Sequence, residues 1–227
     1  MPELMIKLEN VHKEFRLRGN IIRALDKVNL TINSGEFVVI MGPTGCGKTT
    51  LLNVMSGLDL PDDGTVILDG ERIGRASEER LSNIRRRKIG FIFQDFNLIE
   101  DLTAIENIEA VLWPRTDLRS KNIEDRAIDA LRKVDLLDRK DNKPNELSGG
   151  EKQRCAIARA IVHKPRVLFA DEPTGNLDVA AARNTMKVLQ NLNKEMGTTM
   201  VMVTHDKDLV KYGTRLVEMG HGKVLKS

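Results

Sequence analysis

Three short apolar runs stand out along the chain: residues 37–41 (FVVIM), 167–171 (VLFAD) and 199–205 (TMVMVTH). A continuous apolar run of this length, with Val and Ile prominent among the three, is typical of a strand buried on both faces of a mainly parallel sheet. The sequence therefore predicts an α/β fold whose core is such a sheet.

Further strand-like segments lie at both ends of the chain. Residues 5–15, 23–32 and 64–73 read as strands, and Gly, Asn and Asp punctuate the chain between them. Such residues mark turns, so these segments predict an antiparallel β subdomain near the N-terminus. A last pair, residues 215–219 and 223–226, flanks a Gly-His-Gly sequence and predicts a terminal hairpin.

The middle of the chain changes to a helical pattern. Within the sequence NIEDRAIDALRKVDLL, Ile123, Ala127, Leu131 and Val134 recur on one face of a helix. We expect one domain over residues 1–227, with a mostly helical subdomain at about residues 95–163 inserted into the α/β core.

Composition limits where the chain works. Of the 227 residues 41% are hydrophobic and 30% are charged, which is typical of soluble globular proteins. No apolar stretch approaches the roughly 18 residues of a membrane-spanning helix, and the first residues lack the layout of a signal peptide. We therefore expect a cytoplasmic chain that reaches a membrane only through a partner. Cys46 and Cys155 show no metal-ligand spacing and are expected to be free thiols.

The first apolar run leads into a phosphate loop. Residues 42–49 read GPTGCGKT and satisfy G-x-x-x-x-G-K-[ST], between a predicted strand and a predicted helix. Glycines let backbone N–H groups surround phosphate oxygens, and the N-terminus of the helix adds a partial positive charge. In this motif Lys48 reaches the β- and γ-phosphates and Thr49 ligates Mg²⁺. The motif predicts the core of a P-loop NTPase, and Cys46 is interpreted as a space-filling residue in it.

A pair of carboxylates narrows the chemistry. Asp171 ends the second apolar run and is followed directly by Glu172. A carboxylate at a strand end beside a phosphate loop can hold Mg²⁺ through its water shell, and a second one can polarise the attacking water. The alternative is a structural or capping pair.

The sequence LSGGE leads into a predicted amphipathic helix, EKQRCAIARAIVH. Ser148 and Glu151 have the spacing of a capping box. Gly149 and Gly150 indicate more than a helix start. Glycines leave backbone N–H groups exposed, so an anion can approach them closely.

LSGGEKQR resembles the signature sequence of ATP-binding cassette (ABC) proteins. With the phosphate loop and LFADEP the match is close to diagnostic, and the resemblance covers essentially the whole chain. In that family two cassettes stack head to tail, and each ATP lies between the phosphate loop of one and the signature of the other. The resemblance therefore implies a homodimer. Glu151 stands where Gln is common, and its charge is tolerable if it caps its own helix.

The resemblance also implies roles for single residues. Gln94 would contact Mg²⁺ and the attacking water, His205 the γ-phosphate, and Phe15 the adenine ring. With Glu172 as catalytic carboxylate, the implied metal contacts are Thr49, Gln94 and Asp171. The implied nucleotide contacts are Phe15, Gly42, Pro43, Thr44, Gly45, Cys46, Gly47, Lys48, Thr49, Thr50, Ser148, Gly149, Gly150 and Asp178.

Within the family, three stretches resemble the cassettes of lipoprotein release, macrolide export and cell division. They are residues 88–108, 147–161 and 171–178. In that subgroup the cassette drives an integral membrane protein (the permease subunit) and often transmits force across the membrane. The main rival is an importer-type cassette for a small solute.

Two rivals come from other classes. A soluble ABC ATPase of nucleic-acid repair or translation is disfavoured, because residues 95–147 hold no sustained heptads and there is only one cassette. The run Arg85-Arg86-Arg87-Lys88 stands alone and is interpreted as a solvated or partner-facing surface, so no nucleic-acid partner is expected. A scaffold without ATPase activity is disfavoured because Lys48, Asp171, Glu172 and His205 are all present.

Overall fold

The computed structural model describes residues 3–17, 20–114 and 120–227. The strands are β1 (Leu4–Leu17), β2 (Asn20–Asn33), β3 (Phe37–Met41), β4 (Asp63–Leu68), β5 (Glu71–Arg72), β6 (Ile89–Ile92), β7 (Val167–Asp171), β8 (Thr199–Thr204), β9 (Arg215–Gly220) and β10 (Lys223–Lys226). The helices are α1 (Lys48–Ser56), α2 (Glu78–Lys88), α3 (Ala104–Glu109), α4 (Ser120–Lys133), α5 (Gly149–Ile161) and α6 (Val179–Met196), with 3₁₀ turns at Leu137–Arg139, Pro144–Glu146 and Lys207–Tyr212.

The larger sheet has the strand order β10-β9-β3-β8-β7-β6. Strands β9, β3, β8, β7 and β6 run parallel, and β10 pairs antiparallel with β9 as the predicted terminal hairpin. The smaller sheet, β2-β1-β4-β5, is antiparallel throughout. The predicted α/β class, with a mainly parallel sheet and an N-terminal antiparallel part, is confirmed.

The apolar runs are continuous because each strand feeds two cores. Successive side chains of a strand point to opposite faces: Val38 and Ile40 lie in one hydrophobic cluster, and Phe37 and Val39 lie in the other. The first cluster also holds residues of the antiparallel sheet and α1, whereas the second holds residues of α3 to α6. Both faces of the parallel sheet are thus covered.

Helices α3, α4 and α5 follow β6 in the chain, in the stretch where a helical subdomain was predicted; residues 115–119 of that stretch lie outside the described part. On α4, Ala127 and Leu131 are fully buried, and Val134 is buried just after the helix ends. Nowhere in the described ranges is a helix both long and apolar enough to span a bilayer.

Helix α5 is seated on the edge strand β6 through a glycine. A Cβ atom at Gly90 would lie 2.3 Å from the carbonyl oxygen of Ala160 and 2.7 Å from Cδ1 of Leu168. Because one of these atoms is backbone, it cannot move aside as a flexible side chain can. The missing side chain at Gly90 therefore lets α5 pack directly against the sheet.

We expect Gly90→Ala to destabilise the fold by about 2 kcal/mol, the usual cost of overpacking, measured by urea denaturation. Gly149→Ala is the matched control, because its new methyl group would meet nothing nearer than 3.5 Å. An equal loss of stability in both variants would contradict this account of Gly90.

Candidate nucleotide site

The phosphate loop connects β3 to α1, as the motif requires. Lys48 begins α1 and is only 6% exposed. Its ammonium group donates hydrogen bonds to the carbonyl oxygens of Gly42 (2.8 Å) and Pro43 (3.0 Å). The cation is therefore held inside the curve of the loop.

The loop is enclosed by backbone from two distant segments. Gly47 has φ +104°, and a Cβ there would lie 2.2 Å from the carbonyl oxygen of Ala24 on β2. A Cβ at Gly42 would lie 2.4 Å from the carbonyl oxygen of Met219 on β9. The N–H of Gly222, in the β9–β10 turn, donates to the carbonyl oxygen of Cys46 at 3.0 Å. The motif accounts for Gly42 and Gly47 by their contacts with phosphate. The fold requires glycine at both positions for a second reason, because a side chain there would clash with backbone.

The two thiols are buried. Cys46 is 7% exposed and belongs to the core beneath the loop, in agreement with its interpretation as a space-filling residue. Cys155 is fully buried on α5, and burial raises the pKa of its thiol to about 12. Both cysteines are free, as predicted.

Thr49 and Asp171 meet across the sheet. Strands β3 and β7 lie on either side of β8 and are parallel to it, so their carboxyl ends lie at one edge. The Thr49 hydroxyl donates to Oδ1 of Asp171 at 3.3 Å. Burial raises the pKa of Asp171; the nearby Glu172 carboxylate acts in the same direction, whereas the Thr49 hydrogen bond and Lys48 oppose the rise.

Glu172 and His205 form a close pair at the same edge. Nδ1 of His205 lies 2.7 Å from Oε2 of Glu172. Glu172 has φ +44°, which is uncommon for a residue with a side chain, and its N–H donates to the carbonyl oxygen of Val203 at 3.0 Å. His205 follows β8 directly, since the strand ends one residue earlier than predicted.

Gln94 lies next to the segment that follows Glu172. A Cβ at Gly175 would lie 3.0 Å from Nε2 of Gln94. The side-chain amide of Asn176 donates to the carbonyl oxygen of Gln94 (3.1 Å) and to Oδ1 of Asp95 (2.9 Å). The structure thus places Gln94 against the loop that joins the two carboxylates to α6.

The predicted capping box is present at the start of α5. The Glu151 N–H donates to the Ser148 hydroxyl oxygen (3.3 Å), and the Glu151 carboxylate accepts from the N–H (2.8 Å) and the hydroxyl (2.7 Å) of Ser148. These hydrogen bonds, with Arg139 nearby, lower the pKa of Glu151. The Glu151 carboxylate therefore caps its own helix. This is the condition under which a negative charge is tolerable at a position where Gln is common.

The signature glycines also have a packing role. A Cβ at Gly150 would lie 3.2 Å from Cβ of Ala181 on α6, a tight contact, whereas Gly149 is exposed and less confined. Asp178 caps α6 by accepting from the N–H groups of Ala180 and Ala181. The start of α5 and the start of α6 are thus packed together.

Phe15 presents an accessible ring on β1. The residue is 41% exposed, and Nζ of Lys13 lies 5.4 Å from the ring centroid. Lys13 is itself held by Oδ1 of Asp59 and the carbonyl oxygen of Leu60. The ring is therefore available for stacking.

Comparison with known proteins agrees with this geometry. The ABC transporter family model matches residues 25–175, about two thirds of the chain. The chain belongs to the ABC transporter family. As a member it is an ATP-binding cassette with ATPase activity.

Relatives of this ABC cassette include proteins of several systems. It is 45% identical over 223 residues to the ABC transporter ATP-binding protein MJ0796 of Methanocaldococcus jannaschii (97% of this chain, 95% of that protein). It is 42% identical over 225 residues to the lipoprotein-releasing system ATP-binding protein LolD 1 of Chlorobium chlorochromatii (99% and 92%). It is 41% identical over 224 residues to the macrolide export ATP-binding/permease protein MacB of Chlorobaculum tepidum (97% and 34%).

A solved structure matches the whole cassette. The dimeric, post-hydrolysis structure of MJ0796 bound to ADP and Pi has a TM-score of 0.90 to this chain at 43% identity, covering 98% of this chain and 97% of that one. The neighbour is dimeric and holds the products of ATP hydrolysis.

The raised pKa of Asp171 predicts a pH-dependent cost in stability. A carboxyl group whose pKa is raised by folding destabilises the fold at a pH above that pKa and has no such effect at a pH where both states are protonated. We expect Asp171→Asn to raise the melting temperature of the nucleotide-free protein by a few degrees at pH 8, and by less as the pH approaches 4. The exposed Asp101→Asn is the control, and a gain in Asp171→Asn that does not vary with pH would contradict the prediction.

Proposed function

We propose that this cassette dimerises around two ATP molecules and drives an integral membrane permease subunit, as the ATPase of an export or force-transmitting system. The observation that carries the proposal is the convergence of Lys48, Thr49, Asp171, Glu172 and His205 at one edge of the parallel sheet. Membership of the ABC family and the LolD and MacB relatives support the rest.

In this proposal the phosphate loop binds the triphosphate. Backbone N–H groups of residues 42–49 and the N-terminus of α1 offer donors and a partial positive charge to the phosphates. The Lys48 ammonium group, which now donates to two loop carbonyls, transfers its hydrogen bonds to phosphate oxygens. Thr50 adds a hydroxyl in the first turn of α1, and Phe15 stacks on the adenine.

Mg²⁺ suits the oxygen atoms that meet beside the loop. The Thr49 hydroxyl and the Asp171 carboxylate lie 3.3 Å apart, and Mg²⁺ in phosphate sites is usually bound by one or two such protein oxygens, water and the substrate. When bound, the ion would neutralise charge that develops on the phosphates. Gln94 is proposed to contribute its side-chain oxygen to the metal and to the attacking water.

Glu172 is proposed as the general base and His205 as its neighbour on the γ-phosphate side. The Glu172 carboxylate can take a proton from water, provided that its oxygens are fixed in direction. The contact with Nδ1 of His205 and the hydrogen bond from the Glu172 N–H fix it. The unusual φ of Glu172 is a backbone strain of the kind that proteins retain at functional sites.

The second half of each ATP site is proposed to come from a second copy. Ser148, Gly149 and Gly150 would meet the γ-phosphate of the partner's nucleotide at the N-terminus of α5. Asp178, which begins α6 beside them, would lie at the same interface. The dimeric state of the MJ0796 cassette structure supports this arrangement.

Export is proposed over import because LolD and MacB are named for lipoprotein release and macrolide export. The permease would hold the cassette at the cytoplasmic face of the membrane. Two members of the basic run on α2 are engaged within the fold: Arg85 contacts Glu78 and the Gly57 carbonyl, and Lys88 pairs with Asp69 and Glu71. Arg86 and Arg87 are exposed and are proposed to face solvent or the partner.

We expect Glu172→Gln to lower ATP turnover about 100-fold or more, because glutamine cannot accept the proton of the attacking water. ATP binding by calorimetry should remain, and size-exclusion chromatography should show a dimer only when ATP is present. Glu195→Gln, an exposed carboxylate on α6, is the control. Turnover at the parental rate in Glu172→Gln would reject Glu172 as the base.

The proposed shared site also predicts a concentration dependence. Specific ATPase activity of the isolated cassette should rise with protein concentration across the dimerisation range, because each site needs residues from two copies. Activity is to be measured alongside the mass of the particle by light scattering. A specific activity that stays constant through that range would indicate a monomeric enzyme.

A further inference from the structure

Arg159 is a charged residue on an otherwise apolar stretch of α5. Its neighbours in the helix, Cys155, Ala158 and Ala160, are buried. Burial lowers the pKa of the Arg159 guanidinium from its ordinary value, which means that the fold accepts a desolvation cost there. A charge in such a position needs hydrogen-bond partners to offset that cost.

The partners of Arg159 are backbone carbonyls in the loop that carries Gln94. Nη1 donates to the carbonyl oxygen of Asn97, and Nη2 donates to that of Phe96 at 2.7 Å. Phe96 and Asn97 have φ values of +60° and +52°. Two successive residues in this region are costly without support, so the guanidinium fork holds the loop in a shape that it would not adopt alone.

The same loop is held from its other side by Asn176. The Asn176 amide donates to the Gln94 carbonyl and to Oδ1 of Asp95. Residues 94–97 thus lie between a side chain of α5 and a side chain of the segment joining Glu172 to Asp178. The phosphate loop differs, because backbone from other parts of the chain encloses it and no pair of side chains is needed to hold it.

Helix α5 connects this contact to the signature. Ser148 caps the helix, and Arg159 lies eleven residues further on, roughly 16 Å along the axis. A regular helix that is capped and buried moves as a rigid body over such a distance. A displacement of residues 94–97 would therefore reach Ser148, Gly149 and Gly150 through this helix.

We propose that Arg159 is a positioning residue, which places Gln94 for hydrolysis and couples the Gln94 loop to the signature end of α5. The inference rests on the proposed function, since it assigns Gln94 and the signature the roles given above. Lysine cannot replace the arginine, because a single ammonium group lacks the planar fork that reaches two adjacent carbonyls.

The test is a double-mutant cycle of Arg159→Lys with Gln94→Ala, measured at protein concentrations above the dimerisation range. Arg159→Lys should leave the ATP dissociation constant within about twofold and lower kcat about tenfold or more, as expected for a misplaced catalytic group. In the Gln94→Ala background the same change should lower kcat no further. Backbone amides of residues 95–99 should exchange hydrogen faster in Arg159→Lys.

Arg132→Lys, at an exposed position of α4, is the matched control and should change none of these readouts. A second variant covers the case in which Arg159→Lys does not fold. Asn176 is exposed and holds the other side of the loop, so Asn176→Ala should show the same kcat loss and the same dependence on Gln94. Equal losses of kcat with and without Gln94, or unchanged exchange of residues 95–99, would overturn the proposal. An inactive parental protein would instead contradict the proposed function.

Discussion

The phosphate loop keeps its shape because backbone from two distant parts of the chain lies against it, at distances that exclude a side chain. Ala24 on β2 contacts the loop at Gly47, and Met219 on β9 contacts it at Gly42. The Gly222 N–H then donates to the loop at Cys46. The antiparallel sheet and the C-terminal hairpin thus build the walls of the loop, and the direction of α1 and Lys48 follows from its curve.

The parallel sheet brings the remaining groups to that loop. Because β3, β8 and β7 are neighbours and run in the same direction, Thr49, Asp171 and His205 all arrive at one edge. This convergence has a cost: burial raises the pKa of Asp171, so the ionised carboxylate weakens the fold at neutral pH. In the proposed function that charge would hold Mg²⁺ beside the phosphates, and stability would be given up for it.

Helix α5 packs against both the edge strand β6 and helix α6. Gly90 seats it on β6, Gly150 seats it against α6, and the capping box fixes its first turn. Near its end Arg159 holds the loop of Gln94. The sequence contained a signal for this contact, since Arg159 interrupts an apolar helix face, but the carbonyls that it binds are 62 and 63 positions away.

The sequence by itself determined what depends on neighbouring residues. The strand–loop–helix context of the phosphate loop, the Asp171-Glu172 pair and the Ser148–Glu151 capping box all act over a few positions, where spacing dictates geometry. Only the tertiary structure decided that Gly42 and Gly47 are needed for packing, that His205 contacts Glu172, and that Arg159 holds the Gln94 loop. These contacts join segments far apart in the chain, and a single sequence carries no measure of distance between such segments until the strands are paired and the cores are packed.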